Sequence, residues 1–311
     1  MCGFAGLLRW DGLSPEDKSR VRAAADVLAH RGPDSSGFFS DSHMALGFRR
    51  LKVIDLSPAG EQPMTNAAGT LTIVFNGEIY NYRELRDELR AVGHSFKSES
   101  DTEVLLRMYM QFREEMLPKL RGMFAFAIWD SAERRLFFAR DPLGVKPLYF
   151  AERPGFVAIA SEPKALFSLG IEPEIDPIAI DEALTYRYVP APRSGFKDVE
   201  KLPPGHLAFA ESGSVQYRRW WSLPATEKPD SAENSDRTLP NVGSAVSRRL
   251  VSDVPLGAWL SGGIDSGLVL SQMGENVHSF SAGFSQSEYD ERDLARATAA
   301  QLKAQHAEFE V

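Results

Sequence analysis

The single cysteine of this 311-residue chain directly follows the initiating methionine. A lone cysteine excludes an intramolecular disulfide, and in mid-chain it is usually a small buried hydrophobe. Position 2 changes that expectation, because Met1 is normally removed when the next residue is small. Cys2 would then carry a free α-amine with an ordinary pKa of ~7.7–8, which suits a general base at neutral pH. One residue would thus supply both a nucleophile and its base.

The composition is that of a globular protein with a sizeable core, since 43% of the residues are hydrophobic and 25% are charged. The length suggests about two domains. A net charge of −8 gives no general electrostatic reason to bind nucleic acid or an anionic membrane. No apolar run approaches the ~20 residues of a membrane span, and the N-terminus lacks the regions of a signal peptide. We therefore expect a cytoplasmic protein without nucleic-acid or membrane partners.

Local patterns predict several elements in the first hundred residues. Ser14-Pro15 begins a helix, and a β-rich run over 71–75 leads directly into Asn76-Gly77-Glu78. A second helix is predicted to start near Asn81, with Glu84 completing a capping box and Gly93 ending it. Another helix is predicted to open at Ser100-Asp101.

Each polar residue of these segments also has a simpler interpretation. An Asn-Gly pair is most often a turn, Arg50 could be a solvated charge, and Asp101 could be only a helix cap. Glycines in the opening run would allow a ligand to approach closely, but so would many loops. No single residue of this set settles a function.

Taken together, the motifs resemble the glutaminase domain of glutamine-dependent asparagine synthetases, which are class II (N-terminal nucleophile) glutamine amidotransferases. The resemblance extends to the end of the chain. The segments that carry it are 1–6, 30–34, 49–51, 75–81, 123–130, 139–149 and 161–166.

The resemblance implies a fold of two parts. The first is an α+β N-terminal-nucleophile sandwich, in which two antiparallel sheets lie between helices. Strands of these sheets are expected over 134–141, 155–162 and 206–217. The second is a partial α/β doubly wound parallel sheet. Accordingly, residues 1–215 are predicted to form the glutaminase domain, 216–240 a linker, and 241–311 an incomplete ATP-pyrophosphatase domain.

The resemblance also implies a site that hydrolyses glutamine. Cys2 would be the nucleophile, and the Asn76 side-chain amide with the Gly77 N–H would form the oxyanion hole. Glutamine presents one carboxylate and one ammonium, so one basic and two acidic side chains meet its binding needs. The residues implied to bind it are Arg50, Asn76, Gly77, Glu78 and Asp101.

A glycine-rich loop at 261–266 follows an apolar strand predicted over 254–260 and precedes a helix. Backbone N–H groups in such a loop, with a helix N-terminus behind them, form an anion site. No G-x-x-x-x-G-K-[ST] motif occurs, which excludes the nucleoside-triphosphate P-loop. The loop instead resembles the S-G-G-x-D-S pyrophosphate loop of ATP pyrophosphatases, although an ordinary Ser-Gly turn would share its composition.

In asparagine synthetases this loop binds ATP, which activates aspartate as an acyl-adenylate that ammonia from the first domain then attacks. The resemblance implies ATP with substrate-bound Mg²⁺, no prosthetic group and no protein metal site. One departure is Gly267, where these proteins commonly have a second serine. The implied ATP-binding residues are Leu260, Ser261, Gly262, Gly263, Asp265, Ser266 and Ala282.

The segment from 254 to 311 predicts strand, helix, strand, helix, strand, which is half of a doubly wound sheet. We expect a fragment or truncated gene product whose strand at 254–260 has an unpaired edge and whose synthetase half does not turn over. Three alternatives remain: a stand-alone glutaminase, a non-catalytic module, and an acceptor carboxylate other than aspartate. A homodimer is expected from the resemblance alone.

Overall fold

A computed structural model describes residues 1–224, 232–286 and 290–311, with only the backbone described over 232–237. The chain forms two compact units, Met1–Leu223 and Pro224–Val311. Among the described residues, no helix is both long and apolar enough to cross a membrane.

The first unit contains two antiparallel sheets of six strands each. Its strands are β1 (Gly3–Arg9), β2 (Ser35–Ser40), β3 (Met44–Arg50), β4 (Met64–Thr65), β5 (Leu71–Ile79), β6 (Gly122–Asp130), β7 (Arg135–Arg140), β8 (Tyr149–Arg153), β9 (Phe156–Ala160), β10 (Glu200–Lys201), β11 (His206–Glu211) and β12 (Ser214–Arg219). Its helices are α1 (Pro15–Asp26), α2 (Tyr82–Ala91), α3 (Asp101–Phe112), α4 (Pro163–Ser168) and α5 (Pro177–Tyr186), with 3₁₀ turns at Pro58–Gly60 and Arg113–Lys119.

The two sheets have the strand orders β10-β8-β9-β1-β3-β2 and β12-β11-β7-β6-β5-β4. Side chains of β1 show how the layers stack, because they alternate between two cores. Phe4 and Leu8 pack between the sheets, whereas Ala5 and Leu7 face the layer of α1 and α4. Both faces of β1 are covered, so the run is apolar throughout. The predicted α+β sandwich is confirmed.

The helix start at Ser14 is confirmed, since its side chain accepts a hydrogen bond from Asp17 N–H in a complete capping box. The capping box predicted at Asn81 is wrong. Asn81 makes no side-chain cap; its amide instead donates to Lys119 O at 3.0 Å and accepts from Arg121 N–H at 2.9 Å. The backbone at 119–121 thus takes up the hydrogen-bonding groups of the side chain that the local pattern assigned to capping α2. The helix does end before Gly93, whose φ is +95°.

Strand β5 continues through the Asn76-Gly77 pair to Ile79, so that pair is not a turn. Asn76 lies opposite Ala125 of β6, and Gly77 lies opposite Phe124. The Asn-Gly peptide is thus held within a sheet rather than exposed at a loop tip.

The second unit contains a parallel sheet with the order β13-β14-β15 within the described residues. Its strands are β13 (Gly257–Trp259), β14 (His278–Gly283) and β15 (Gln305–Glu310), and its helices are α6 (Ala232–Arg249), α7 (Ile264–Ser271) and α8 (Arg292–Gln301). The predicted alternation of strands and helices is confirmed, but the strand predicted over 254–260 is limited to Gly257–Trp259. Its core is small and centres on Leu260, Leu270, Ala295 and Ala299.

The domain limits from the sequence differ from the compact units. Strand β12 spans the predicted limit at 215 and pairs only with β11, and the first unit runs to Leu223. Strand β12 is a largely exposed edge strand of mostly polar residues. It therefore lacks the alternation of apolar and polar residues that would have predicted a strand beyond 215. Helix α6 begins inside the predicted linker, of which residues 225–231 lie outside the described part. The limits 1–215, 216–240 and 241–311 stay a prediction.

Candidate active site

A cavity in the first unit brings together the six residues that the sequence assigned to glutamine hydrolysis. It encloses about 540 Å³ of space continuous with solvent, at the end of the sandwich where β1 begins and β3 ends. The residues that line it include Met1, Cys2, Arg50, Asn76, Gly77, Glu78, Asp101 and Lys146.

Cys2 is fixed immediately before β1, which pairs with β3 and β9. Its Sγ lies 3.4 Å from the Leu51 nitrogen, from which it accepts a hydrogen bond, and 3.6 Å from the Leu51 oxygen. The Arg31 guanidinium donates to the Cys2 carbonyl at 2.9 Å. Burial raises the pKa of the thiol, so it needs a neighbouring base to become a nucleophile at neutral pH.

The terminal amine lies in the same cavity as the thiol. In the chain as given, that amine belongs to Met1, and burial lowers its pKa below the ordinary value. Arg31 and Lys146 add to this lowering through their positive charge. An amine in this position is easier to keep neutral, which is what a general base requires.

Asn76 has a buried amide with no internal partner. The residue is 1% exposed, and neither its Nδ2 nor its Oδ1 makes a hydrogen bond to any of the residues that the structure describes. An unsatisfied buried polar group costs about 1–3 kcal/mol, so natural proteins rarely keep one without a use. Because this side chain lines the cavity, its N–H groups are available to an oxygen placed beside Cys2.

The Gly77 N–H points toward the same edge of β5 as those of Phe75 and Ile79, because N–H directions repeat every second residue along a strand. On that edge, Phe75 N–H donates to Gln62 and Ile79 N–H donates to Asp101. The N–H groups on either side of that of Gly77 are thus bound by the side chains of Gln62 and Asp101. The residue must be glycine, since a Cβ there would lie 2.2 Å from Met123 O.

Arg50 is buried at the end of β3 and is not a solvated surface charge. It is 4% exposed, and its guanidinium donates to Asp55 O at 2.6 Å, to Ser57 O at 3.2 Å and to the Glu61 carboxylate at 3.3 Å. Gly60 permits this approach, because a Cβ there would lie 2.4 Å from Nη2. The fork is therefore held rigidly where it lines the cavity.

Glu78 and Asp101 form an acidic pair on the cavity wall. Burial raises the pKa of Asp101 to about 7, opposed by the hydrogen bond from Ile79 N–H and assisted by the charge of Glu78. Burial also raises the pKa of Glu78, against the pull of Lys146. Asp101 begins α3, but Ser100 provides the cap by accepting from Glu103 N–H. Asp101 is thus not merely a helix cap.

Lys146 lines the cavity and was not assigned a role from the sequence. It is 5% exposed and follows the turn after β7. In the sequence, Lys146 has the apolar neighbours Val145, Pro147 and Leu148, a signal that could have indicated its burial.

The glycine-rich loop of the second unit is held by its own hydroxyls. The Ser261 and Ser266 oxygens lie 2.9 Å apart, and Ser261 Oγ accepts from Gly263 N–H at 3.1 Å. Gly262 N–H donates to the carboxylate of Glu291 at 3.2 Å. This loop N–H therefore already binds an anionic oxygen, which is what an anion-binding loop does.

A second pocket adjoins this loop and holds some of the predicted ATP-binding residues. It is lined by Leu260, Ser261, Ser266 and Ala282, together with Glu291, which the sequence did not indicate. Asp265 lies elsewhere, in an apolar groove with Val246 and Val269 that Ser266 also lines. Within the described ranges, no group of three or more His, Cys, Asp or Glu side chains could hold a metal ion.

A sandwich of two antiparallel sheets with a cysteine, the terminal amine of Met1 and an unpaired amide at one end is typical of the class of N-terminal-nucleophile amidotransferases. Residues 1–221 match the family model of the glutamine amidotransferase domain, and the chain belongs to that family. Residues 240–311 match the model of asparagine synthase, which confirms the resemblance found in the sequence.

The curated relatives carry the same two parts at greater length. The glutamine-hydrolysing asparagine synthetase 1 of Bacillus subtilis (strain 168) is 40% identical over 312 residues, covering 97% of this chain and 49% of that protein. Asparagine synthetase 3 of the same organism is 38% identical over 278 residues, covering 86% and 44%. The chain thus spans about half the length of the curated relatives it matches.

A solved structure supports the fold. The glutamine phosphoribosylpyrophosphate amidotransferase of B. subtilis, complexed with ADP and GMP, matches with a TM-score of 0.55 and 16% identity, covering 98% of this chain and 65% of that one.

Proposed function

We propose that the first unit hydrolyses glutamine to glutamate and ammonia at Cys2. The observation that carries this proposal is the buried, unpaired amide of Asn76 in the cavity that also holds Cys2. A donor left without an internal partner is what a preorganised oxyanion site requires. Removal of Met1, which gives the amine to Cys2, is part of the proposal.

The chemistry needs no group beyond those of the cavity and one water. The Cys2 amine takes the thiol proton, and Sγ attacks the carboxamide carbon of glutamine. Asn76 Nδ2 and Gly77 N–H donate to the oxygen that becomes negative in the tetrahedral intermediate. The amine then returns the proton to the departing nitrogen, and ammonia leaves a thioester. Water adds to the thioester with the same amine as base, which releases glutamate and the free thiol.

The charged wall of the cavity would bind the amino-acid end of glutamine. Arg50 offers a rigid guanidinium for the α-carboxylate, and Glu78 with Asp101 offers oxygens for the α-ammonium. All three line the cavity, and Arg50 is already oriented by Asp55 and Ser57 carbonyls. Little ordering of the site remains when the substrate arrives, which favours affinity.

Ammonia release from glutamine by the full 311-residue chain tests this function. We expect Cys2→Ala to abolish release while the far-UV circular dichroism stays that of the unsubstituted chain. Ser131→Ala, outside the cavity, is the matched control and should retain activity. Release that persists in Cys2→Ala would overturn the assignment.

We further propose that the loop at 261–266 binds ATP and that the whole protein uses the ammonia to amidate aspartate through an acyl-adenylate. Support comes from the asparagine synthase match and from the anion-holding Gly262 N–H. Ser261, Gly262, Gly263, Ser266, Leu260 and Ala282 would hold ATP, and Asp265 would need to turn toward it. Mg²⁺ would arrive on the phosphates of ATP.

Equilibrium dialysis of ATP against the chain tests the loop, and ATP-dependent asparagine formation from glutamine and aspartate tests whether this synthetase part turns over. We expect Gly262→Asp to abolish ATP binding, because it places a carboxylate at the anion site, without changing ammonia release. Unaltered ATP binding in that variant would refute the loop assignment. Robust asparagine formation by the 311 residues would refute the expectation that this synthetase part does not turn over.

A reducing compartment suits a nucleophile that must stay a free thiol, and we propose the cytoplasm. We also keep a homodimer as a proposal, for which light scattering is the test.

A further inference from the structure

Lys146 places a buried cation in the Cys2 cavity that the protein does not neutralise by direct contact. Among the described residues, its ammonium makes no hydrogen bond and no ion pair, although the side chain is almost fully enclosed. The two arginines nearby differ from it. Arg31 is bound to Glu162 at 2.7 Å, and Arg50 is bound to carbonyls and Glu61.

The backbone of Lys146 is clamped from both sides. The Asp141 carboxylate accepts from the N–H groups of Leu143, Val145 and Lys146 at 3.1, 2.9 and 3.0 Å, and from Phe124 N–H at 3.2 Å. The Arg140 guanidinium donates to the carbonyls of Gly144, Lys146 and Leu202 at 2.7, 2.8 and 2.8 Å. A turn fixed by the buried Asp141 carboxylate and the half-buried Arg140 guanidinium sets where the ammonium can reach before any substrate binds.

We propose that Lys146 is a positioning residue for the glutamine hydrolysis proposed above, whose ammonium keeps positive charge off the Cys2 amine and favours ionisation of the Cys2 thiol. The proposal rests on that function and deepens it. A fixed cation disfavours a second cation beside it and favours an anion. An uncharged amine is the form that can accept the thiol proton, so the same charge assists both halves of the nucleophile.

Other charged residues act on the amine and the Cys2 thiol from several elements, and none of them combines the position and the unpaired charge of Lys146. Asp34 and Asp101 oppose the effect, and Arg31 and Arg50 act in the same direction from positions already bound to partners. Glu78 faces Lys146 and favours its charged form, against burial, which lowers the pKa of Lys146. Within the described part of the chain, Lys146 thus lines the same cavity as Met1 and Cys2 without an ion pair to Glu78.

The chain's single cysteine allows a test that does not depend on glutamine. Iodoacetamide reacts with the thiolate, so the pH dependence of its reaction with the full chain reports the ionisation of Cys2 and its amine together. In Lys146→Met we expect the alkylation midpoint to rise by about one pH unit. The acid limb of the kcat/KM profile for ammonia release should move in the same direction.

Two variants serve as controls. Lys146→Arg keeps the charge and should keep the midpoint of the unsubstituted chain. Lys119→Met removes an equal charge from an exposed pair with Glu88 and should also leave it unchanged. Lys146→Gln repeats the measurement where Lys146→Met does not fold to the same far-UV spectrum.

An unchanged alkylation midpoint in the neutral variants would overturn the proposal, including the case in which KM for glutamine rises. That case would make Lys146 a substrate-binding residue instead. Failure of the proposed function has a different signature, because the unsubstituted chain would then release no ammonia while its alkylation midpoint still shifted with Lys146.

Discussion

The cavity of the first unit and the loop of the second unit are both built for polar ligands, but by opposite means. Around Cys2, the key groups are buried: Arg50 is held by the Asp55 and Ser57 carbonyls and by Glu61, and the backbone of Asn76 is held by the pairing of β5 with β6. Around Ser261, the N–H groups are held by local hydroxyls on a largely exposed surface, where Trp259 is 67% and Ile264 87% exposed. The first site is preorganised before a ligand arrives, whereas the second is held by local contacts on an exposed surface. Changes in the first site should therefore alter chemistry far more than stability.

Asn76→Ala gives the largest expected effect after loss of Cys2. Removing one oxyanion donor should lower kcat by about 10²- to 10³-fold. Stability should change little, because the amide makes no internal hydrogen bond. Steady-state ammonia release and chemical denaturation measure the two quantities.

Asn66→Ala is the matched control for that prediction. Asn66 is also buried, but its oxygen accepts from Thr70 and Leu71 N–H groups at 2.9 and 3.1 Å. It should lose about 1–3 kcal/mol of stability with kcat unchanged. Equal effects of the two substitutions on kcat would contradict a special role for Asn76.

Arg50→Lys should raise KM for glutamine by about 10- to 100-fold with a smaller change in kcat, because a lysine cannot reproduce a two-pronged contact with a carboxylate. Initial-rate kinetics over a range of glutamine concentrations separate the two constants. Arg49→Lys, at the neighbouring position paired with Asp26, should leave both unchanged. A kcat effect without a KM effect would argue against carboxylate binding.

Asp101 predicts a pH dependence of intermediate size. With a pKa of about 7, its ionised fraction rises about tenfold between pH 6 and 8, so KM for glutamine should fall by about that factor. The contribution of Asp101 to the free energy of unfolding changes in the opposite direction with pH. A carboxyl whose folded pKa is raised stabilises fully below its unfolded pKa, and that contribution is lost as pH rises through 7.

Asp101→Asn should therefore show weak glutamine binding without this pH dependence, and a smaller fall in stability from pH 4 to pH 7. Denaturation midpoints across that range check the second part. A KM that is flat from pH 6 to 8 in the unsubstituted chain would refute ionised Asp101 as an ammonium-binding group.

Gly267→Ala gives the smallest effect and acts on the other side of the comparison. Gly267 lies inside α7, and a Cβ there would meet only Thr298 Cγ2, at an ordinary 3.4 Å. The substitution should stabilise the second unit by about 0.5–1 kcal/mol, measured by amide hydrogen exchange of α7. Ammonia release should not change, and a change would contradict the independence of the two sites.

The sequence predicted the elements and the cavity residues where the signal is local or carried by a motif. The strand before Asn76, the helix start at Ser14 and the strand-helix alternation of the second unit are of this kind. The sequence-based predictions fail where a side chain binds a partner far along the chain. Asn81 binds the backbone at 119–121 instead of capping α2. Arg140 joins the Lys146 carbonyl to the Leu202 carbonyl, 56 residues further along the chain, which no local pattern reveals.

The positions of individual donors could not be predicted either. The motif named Gly77, but the direction of its N–H follows from the pairing of β5 with β6 and from the side chains of Gln62 and Asp101 at the opposite edge. Asp265 shows the converse, since the motif placed it with Ser261 and the structure places it in another groove.

The most direct test of an N-terminal nucleophile is intact and fragment mass spectrometry of the full chain after reaction with an electrophilic diazoketone analogue of glutamine. We predict a protein that has lost Met1 and carries one adduct, located on Cys2, with formation of the adduct blocked by excess glutamine. A chain that retains Met1 and still releases ammonia, or an adduct on any other residue, would contradict this account.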